Sequence, residues 1–389
     1  MNTKNFNWAP ALYIIGYHLL LLIALPIYFL NQVPSWKIVT TTLVLIYLTG
    51  LGITAGYHRL YSHSAYKINR LIEPIVLFFG TMATQGSVLR WSYDHRNHHA
   101  FVDTDKDPYS IKKGFWYAHF TWLLEKPKKI EDKLVADLLK NPLVRFQHRH
   151  YGLLMIMTNL CTTLFFGWCF NDYLSSFVFV WGVRMFLLHH FTWFINSLAH
   201  TWGDRPFCLE LSAVDNYLIS LLTWGEGYHN YHHTFSYDYR NGIRWYHYDP
   251  TKWLIWTLSK LGLATRLKKN QSHFIERRVI LERKQLLLKK VQESLSDSKK
   301  IWEEKINSIT ESMLEKLEQL KQAKEDYFNI KFSKEVKKEA IADLKLKIKT
   351  MKKALKKEFK DCKILTREVL SCLASMQESN HNRLIGTRS

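Results

Sequence analysis

Four stretches of this chain are long and apolar enough to cross a bilayer, which takes about 20 mostly apolar residues. Residues 9–30 and 38–57 carry no charge, residues 151–171 form a third stretch, and residues 173–194 form a fourth, interrupted by Arg184. A charge inside a span is costly and turns toward the protein interior. A fifth uncharged run, residues 74–89, is only 16 residues long and contains Gln85 and two glycines, which predicts a helix that dips in without crossing. Charge in the connections sets the topology. Residues 31–37 contain one basic residue, whereas residues 59–149 contain 15. The positive-inside rule then puts that long segment, both termini and everything after His200 in the cytosol. The expectation is two helical hairpins under which a cytosolic helical body hangs.

After Gly262 the pattern becomes apolar residues at helical spacing on a charged background. Leu281, Leu288, Leu295, Trp302 and Ile309 recur every seven residues, and Ile306, Met313, Leu320 and Tyr327 form a second such row. Ile341, Leu344, Ile348, Met351 and Leu355 step by three and four. This predicts one or two long amphipathic helices of coiled-coil type, with a break at residues 329–333. The chain therefore divides into a membrane domain, residues 1–265, and a charged helical extension, residues 266–389.

Composition sharpens that division. The 389 residues hold 54 Lys+Arg and 34 Asp+Glu, a formal +20. The first 265 residues account for 23 basic and 16 acidic side chains (+7), and the rest for 31 and 18 (+13). Thirteen of the 14 Trp lie at or before Trp256, and no Pro follows Pro250. A hydrophobic content of 47% excludes a wholly disordered chain. Five Cys without paired spacing exclude a disulfide scaffold. A basic balance beside long apolar runs points to a membrane surface and not to nucleic acid.

The candidate chemistry lies in the histidines. Eight of the 18 fall in three clusters: His58 and His63; His95, His98 and His99; His229, His232 and His233. Each cluster sits on the predicted cytosolic side. Neutral imidazole is a common ligand for Fe, Zn, Cu and Ni. The spacing H-x-x-H-H, which occurs twice, aims three nitrogens at one volume on a helix. His58 and His63 are about 140° apart on an α-helix and converge only if the helix ends or bends between them. No Cys lies near any cluster, unlike most structural zinc sites. Eight imidazoles exceed the needs of one ion and suit two with open positions.

At these residues the sequence resembles the membrane fatty-acid desaturases of the acyl-CoA (stearoyl-CoA) type, over roughly residues 38–249. The segments that carry the resemblance are GITAGYHRLYSH (52–63), WSYDHRNHH (91–99), DTDKDPY (103–109), FTWFINSLAHTWG (191–203) and GEGYHNYHHTFSYDYR (225–240). The resemblance implies an all-α integral membrane protein with four transmembrane helices and two ferrous ions held by nine imidazoles. His58, His63, His95, His99 and His232 match the ligands of one iron. His98, His200, His229 and His233 match those of the other, with Asn196 holding a water on it. The implied reaction uses O2 to introduce a cis double bond, at the delta-9 position, into a saturated acyl chain. An oxidised metal centre is needed for that hydrogen abstraction, because no side chain can perform it. With no flavin, haem or iron–sulfur motif in the chain, the two electrons must come from an external donor, a b-type cytochrome or a ferredoxin. Gln85, Trp91, Thr192 and Trp193 match residues that line or hold a bent acyl tunnel. Without the resemblance, Trp91 and Trp193 read as an interfacial aromatic belt.

The sequence departs from the family where animal members grip the CoA head group. Gly86 and Tyr93 stand at the positions of an Asn and an Arg, although Asp94 is kept. Acyl-CoA, held through Lys112, Lys113, Lys128 and Lys129, remains the first choice of substrate. An acyl-carrier-protein thioester and an acyl-lipid are alternatives, as is a related di-iron hydroxylase. A His-rich metal transporter and a catalytically dead coiled-coil scaffold are other classes. The first two spans carry almost no polar path for transport, and all nine ligand positions are intact. For the extension the readings are self-association through the C-terminal helix, docking of the electron donor, or contact with anionic lipid through Lys352, Lys353, Lys356 and Lys357. The altered head-group positions and the absence of a retention signal favour a bacterial inner membrane over the endoplasmic reticulum.

Overall fold

The computed structural model of the protein describes residues 6–293, 299–331 and 338–386. Two compact units emerge: Met1–Arg205 with Glu210–Lys269, and Pro206–Leu209 with Asn270–Ser389. Four helices of the first unit are long and apolar enough to cross a membrane: α1 (Trp8–Asn31), α2 (Trp36–Ser62), α7 (Tyr151–Phe170) and α8 (Tyr173–His200). Between them lie α3 (Glu73–Met82), α4 (Val88–Phe101), α5 (Phe115–His119) and α6 (Pro142–Arg149); α9 (Tyr217–Leu222), α10 (His229–Thr234) and α11 (Pro250–Lys260) follow. The apolar run 74–89 is not one helix: α3 ends at Met82 after 10 residues, too short to cross, and Val88 and Leu89 already open α4. The only strand pair among the described residues is a two-residue antiparallel ribbon, Lys67↔Thr265 and Ile68↔Ala264.

The second and fourth spans run past the windows 38–57 and 173–194. Their helical backbone continues beyond the apolar stretch into the polar body, ending at Ser62 and His200. In α2 the continuation changes character: Gly52–Ser62 is a π-helix, with His63 N–H donating to the His58 carbonyl at 3.1 Å. Bonding from i to i+5 brings residues five apart onto one face. The helix widens through this stretch and ends at Ser62, just before His63, so the expected end between His58 and His63 is present and the π-turn accompanies it. Close packing steadies this widened end against α3. A Cβ on Gly52 would lie 2.5 Å from the Gly80 nitrogen, and one on Gly80 would lie 2.4 Å from the Tyr57 ring. Small residues let helix backbones approach this closely in a membrane.

Arg184, the charge within the fourth span, is fully buried. Its guanidinium donates to the carbonyls of Val180 (2.7 Å) and Met82 (3.3 Å) and to the Asn159 amide oxygen, so its donors are met inside the protein.

The second unit contains three helices: α12 (Ser272–Glu293), α13 (Lys299–Lys331) and α14 (Lys338–Gly386). Their buried faces form two clusters, Ile280, Met313, Leu317, Leu320, Leu355 and Cys362, and Leu287, Val291, Ile306, Leu365 and Val369. The row Ile306, Met313, Leu320 lies at the centre. In α12 the centre falls on Ile280 and Leu287, which leaves Leu281 and Leu288 half-buried beside it. Leu295 lies outside the described residues, and the break expected at 329–333 overlaps the end of α13 at Lys331. The apolar rows thus meet each other within one chain.

Candidate metal centre

α2, α4, α8 and α10 bring nine imidazoles together as two groups, in each of which the ligand nitrogens all lie within 4.8 Å of one another. One group is His58, His63, His95, His99 and His232; the other is His98, His200, His229 and His233. Seven are buried, and His99 and His233 are half-buried. Neither H-x-x-H-H triplet serves a single volume, as its spacing suggests. On α4, His95 and His99 (i, i+4) turn to the first group and His98 to the second; on α10, His229 and His233 (i, i+4) turn to the second and His232 to the first. Each helix therefore ties the two groups at a fixed separation.

The spacing of the nitrogens fits a metal. In the first group the Nε2 atoms of His58 and His232 are 3.0 Å apart, those of His63 and His95 2.8 Å, and those of His99 and His232 2.9 Å. In the second group His98 and His233 are 3.2 Å apart, and His200 and His229, like His229 and His233, 3.1 Å. Two nitrogens bound at about 2.1 Å and at right angles are about 3.0 Å from each other.

Which nitrogens face inward is set from outside. His58 Nδ1–H donates to Glu226 Oε2 at 2.9 Å, and His98 Nδ1–H donates to Asp107 Oδ1 at 2.9 Å. His200 Nδ1–H donates to Ser212 Oγ at 2.6 Å, whose hydroxyl donates on to Asp103. His95 Nδ1–H donates to the Tyr109 hydroxyl at 3.3 Å. With the outer nitrogen protonated, the inner Nε2 carries a bare lone pair. The Nδ1 atoms of His229 and His232 are buried without a partner, so their polar engagement is wholly inward. Burial holds His63, His95, His99, His229, His232 and His233 well below the ordinary imidazole range, and repulsion between neighbouring imidazoles adds to it. They are neutral at physiological pH, the form that binds a metal. Converging lone pairs in a dry volume are repulsive until a cation lies between them.

Glu226 anchors the first group to the rest of the body. Arg59 donates to it at 2.9 Å and to Asp249 at 3.0 Å, and the Asn241 amide donates to it at 2.6 Å, all in the interior. Burial alone would raise the Glu226 carboxyl, but His58 and Arg59 outweigh it and hold it below the usual carboxylate range.

The other candidate residues surround this centre. The Trp91 ring stacks on His95, centroids 4.9 Å apart. Gln85 Nε2 donates to Thr192 Oγ1 at 2.9 Å, clasping the turn after α3 to α8. Trp193 is buried beside His18, His119 and His189. Asn196 stands one turn before His200 in the same span. Asp94 is paired with Arg90, whose Nε donates to it at 2.8 Å, and Tyr93 is buried beneath that guanidinium. Gly86 takes φ +94° with open space around it. Lys112, Lys113, Lys128 and Lys129 are exposed.

Sequence reasoning passed over the outer partners Glu226, Asp107, Asp103, Ser212 and Tyr109. The available signal was their place inside or beside the motifs, Glu226 in GEGYH and Asp103, Asp107 and Tyr109 in DTDKDPY. A further string of imidazoles joins three elements: His18 Nε2 meets His190 Nε2 at 3.1 Å, and His190 Nδ1 meets His119 Nε2 at 3.1 Å. His190 faces the two neighbours with opposite ring nitrogens, so the three do not converge on one point.

Comparison with known proteins identifies the family. Residues 34–267 match the family described as fatty acid desaturase. A Schizosaccharomyces pombe protein named as a probable acyl-CoA desaturase is 43% identical over 291 residues, 73% of this chain and 59% of that protein. Acyl-CoA desaturase 1 of Saccharomyces cerevisiae is 42% identical over 62% of this chain and 48% of its own length. The sn-1 stearoyl-lipid 9-desaturase of Anabaena variabilis is 35% identical over 68% of this chain and 94% of its own length. The chain thus spans about half the length of the two fungal relatives. With fungal acyl-CoA desaturases among its strongest matches, the expectation of a bacterial inner membrane gains no support.

Proposed function

Because the chain belongs to the fatty acid desaturase family, we propose that it is an O2-dependent desaturase that introduces a cis double bond, at the delta-9 position, into a saturated fatty acyl chain presented as acyl-CoA. The observation that carries this reading is the pair of inward-facing imidazole groups, five and four strong, whose spacing suits two metal ions. Two irons bound there would supply the oxidising power to take hydrogen from an unactivated methylene pair. The protein's own residues do the rest. Glu226, Asp107 and Ser212 keep the ligating nitrogens bare and aimed. The Gln85–Thr192 clasp and Trp91, packed against a ligand, position the acyl chain beside the centre. Two electrons arrive from an external donor, an acidic b-type cytochrome or a ferredoxin, attracted to the basic cytosolic segment, residues 59–149.

One observation favours a second reading of the carrier. The Anabaena relative, matched over nearly all of its length, is named for a lipid-bound acyl chain, and Gly86 offers no side chain to a CoA head group. An acyl-lipid substrate is that second reading.

The test is the fatty-acid composition of a desaturase-deficient host expressing this chain, by gas chromatography with double-bond localisation. New delta-9 monounsaturated chains, absent with the His229→Ala variant, are expected. Assays on isolated membranes with acyl-CoA or with phospholipid then assign the carrier. Hydroxylated chains in place of unsaturated ones would move the reading to a hydroxylase; neither product, with two irons bound and a donor supplied, would overturn it.

A further inference from the structure

The second unit carries a charge distribution that its own packing does not explain. On α14 the residues Lys345, Lys349, Lys352, Lys353, Lys356, Lys360, Lys363 and Arg367 are all exposed. At roughly 100° per residue they fall within an arc of about 100°, a straight stripe about 33 Å long. No acidic residue lies on that arc. Between residues 345 and 367 the only acids are Glu358 and Asp361, on the other side of the helix, and Glu358 is committed to Lys316 of α13. Among the described residues none of the eight stripe cations takes part in an ion pair. Five of their pairings are like charges at i, i+4 (345/349, 349/353, 352/356, 356/360 and 363/367), each of which destabilises an isolated helix.

A solvated helix ordinarily avoids this. α13, its neighbour in the same unit, carries seven acidic and seven basic residues over Lys299–Lys331 and pairs Glu318 with Lys321 along its own face. The excess on α14 is therefore local, and its counter-charge lies outside the unit. Three features identify that counter-charge as a flat anionic surface. The stripe is linear. It is built almost wholly of lysine, which acts as a point charge without the planar fork that selects carboxylate partners. And two exposed apolar side chains, Leu346 and Ile364, stand along one edge of the stripe, 18 residues apart at the same angle, where they can enter a lipid interface. The unit is also covalently joined, at Lys269–Asn270, to a unit with four candidate membrane spans, so a bilayer is always within reach.

We propose that the lysine stripe of α14 docks onto anionic phospholipid of the membrane that the first unit spans. This rests on the second unit and the spans alone, not on the reaction proposed above. The test uses the full chain reconstituted in nanodiscs of phosphatidylcholine, or of phosphatidylcholine with about one-third phosphatidylserine, probed by acylation of individual lysines and mass spectrometry. Lys347, exposed on the opposite side of α14, is the internal reference. The stripe lysines should react at least roughly fivefold more slowly in the phosphatidylserine discs, while Lys347 is unchanged. Raising salt from about 0.15 M to about 1 M shortens the screening length from about 8 Å to about 3 Å and should abolish the difference. The combined variant Lys349→Gln, Lys352→Gln, Lys353→Gln, Lys356→Gln and Lys360→Gln leaves the helix exposed and uncharged there, and should remove the protection of Lys345 and Lys363. Equal reaction rates in the two discs would overturn the proposal. So would protection that appears only when an acidic soluble protein is added, which would assign the stripe to a protein partner.

Discussion

The two units of this chain are held together in opposite ways. The second buries what heptads ordinarily bury, Ile306, Met313, Leu317, Leu320, Leu355, Leu365 and Val369, and keeps most of its charge outside. The first buries Arg59, Glu226, Asp249, Asp107 and Arg184 almost completely, together with seven of the nine clustered imidazoles. Buried charge is weak support for stability, because desolvation offsets much of the attraction. An interior that hydrophobic residues would hold as well, or better, is instead spent on orientation. Glu226 and Asp107 fix the ring tautomers, Arg59 fixes Glu226, and the π-turn fixes the angle between His58 and His63. The comparison teaches that the first unit is organised around what it binds and the second around its own core.

If that contrast is correct, ligand removal in the first unit has the largest effect. His232→Ala, which deletes a nitrogen close to both His58 and His99, should remove iron from its group and lower product formation by at least about a hundredfold; metal analysis and product chromatography check it. Glu226→Gln is next. It leaves Arg59 and the His58 proton facing a neutral amide, and should cost about 3–5 kcal/mol of stability and about 10–100-fold in metal affinity, read by thermal unfolding and iron titration.

Met313→Ala makes the converse cut. It opens a cavity in the second unit and should cost roughly 2–5 kcal/mol there, while the iron content stays at the wild-type level. Iron loss in this variant would show that the two units are not independently organised.

The most diagnostic effect is on pH. Six ligand imidazoles are held well below their ordinary value in the fold, whereas the unfolded chain takes up protons below about pH 6.5. The folded state therefore binds fewer protons, and stability rises with pH through that window. The metal-free protein should keep its full melting temperature above about pH 6.5 and lose it progressively as the pH falls below. The second unit, with no ligand cluster among its described residues, should show no such dependence.

How much of this was readable in advance follows the same division. Hydropathy located the four spans, since a run of about 20 apolar residues has few other uses, and the short α3 was legible by its length. The widening of α2 was not, because a π-turn draws on the same residues as an α-turn and is set by packing against α3. The histidine clusters were legible as ligands by spacing alone. Their division between two sites was not legible by spacing, because helical periodicity puts i, i+3 and i+4 on one face; only the family resemblance gave it, with His200 as the ninth imidazole, and the two groups match it. Glu226 and Asp107 escaped notice because a lone carboxylate in a loop resembles any solvated one until its burial is known. In the extension, the heptad row was read through Leu295, which lies outside the described residues.

The central claim is that nine imidazoles form two metal sites in one chain. It is tested most directly by counting metal in the purified full-length protein by inductively coupled plasma mass spectrometry, beside the variants His232→Ala and His98→Ala. The account predicts two irons per chain, falling to about one when either group is broken. A single metal per chain, or zinc in place of iron, or variants that leave the count unchanged, would contradict it.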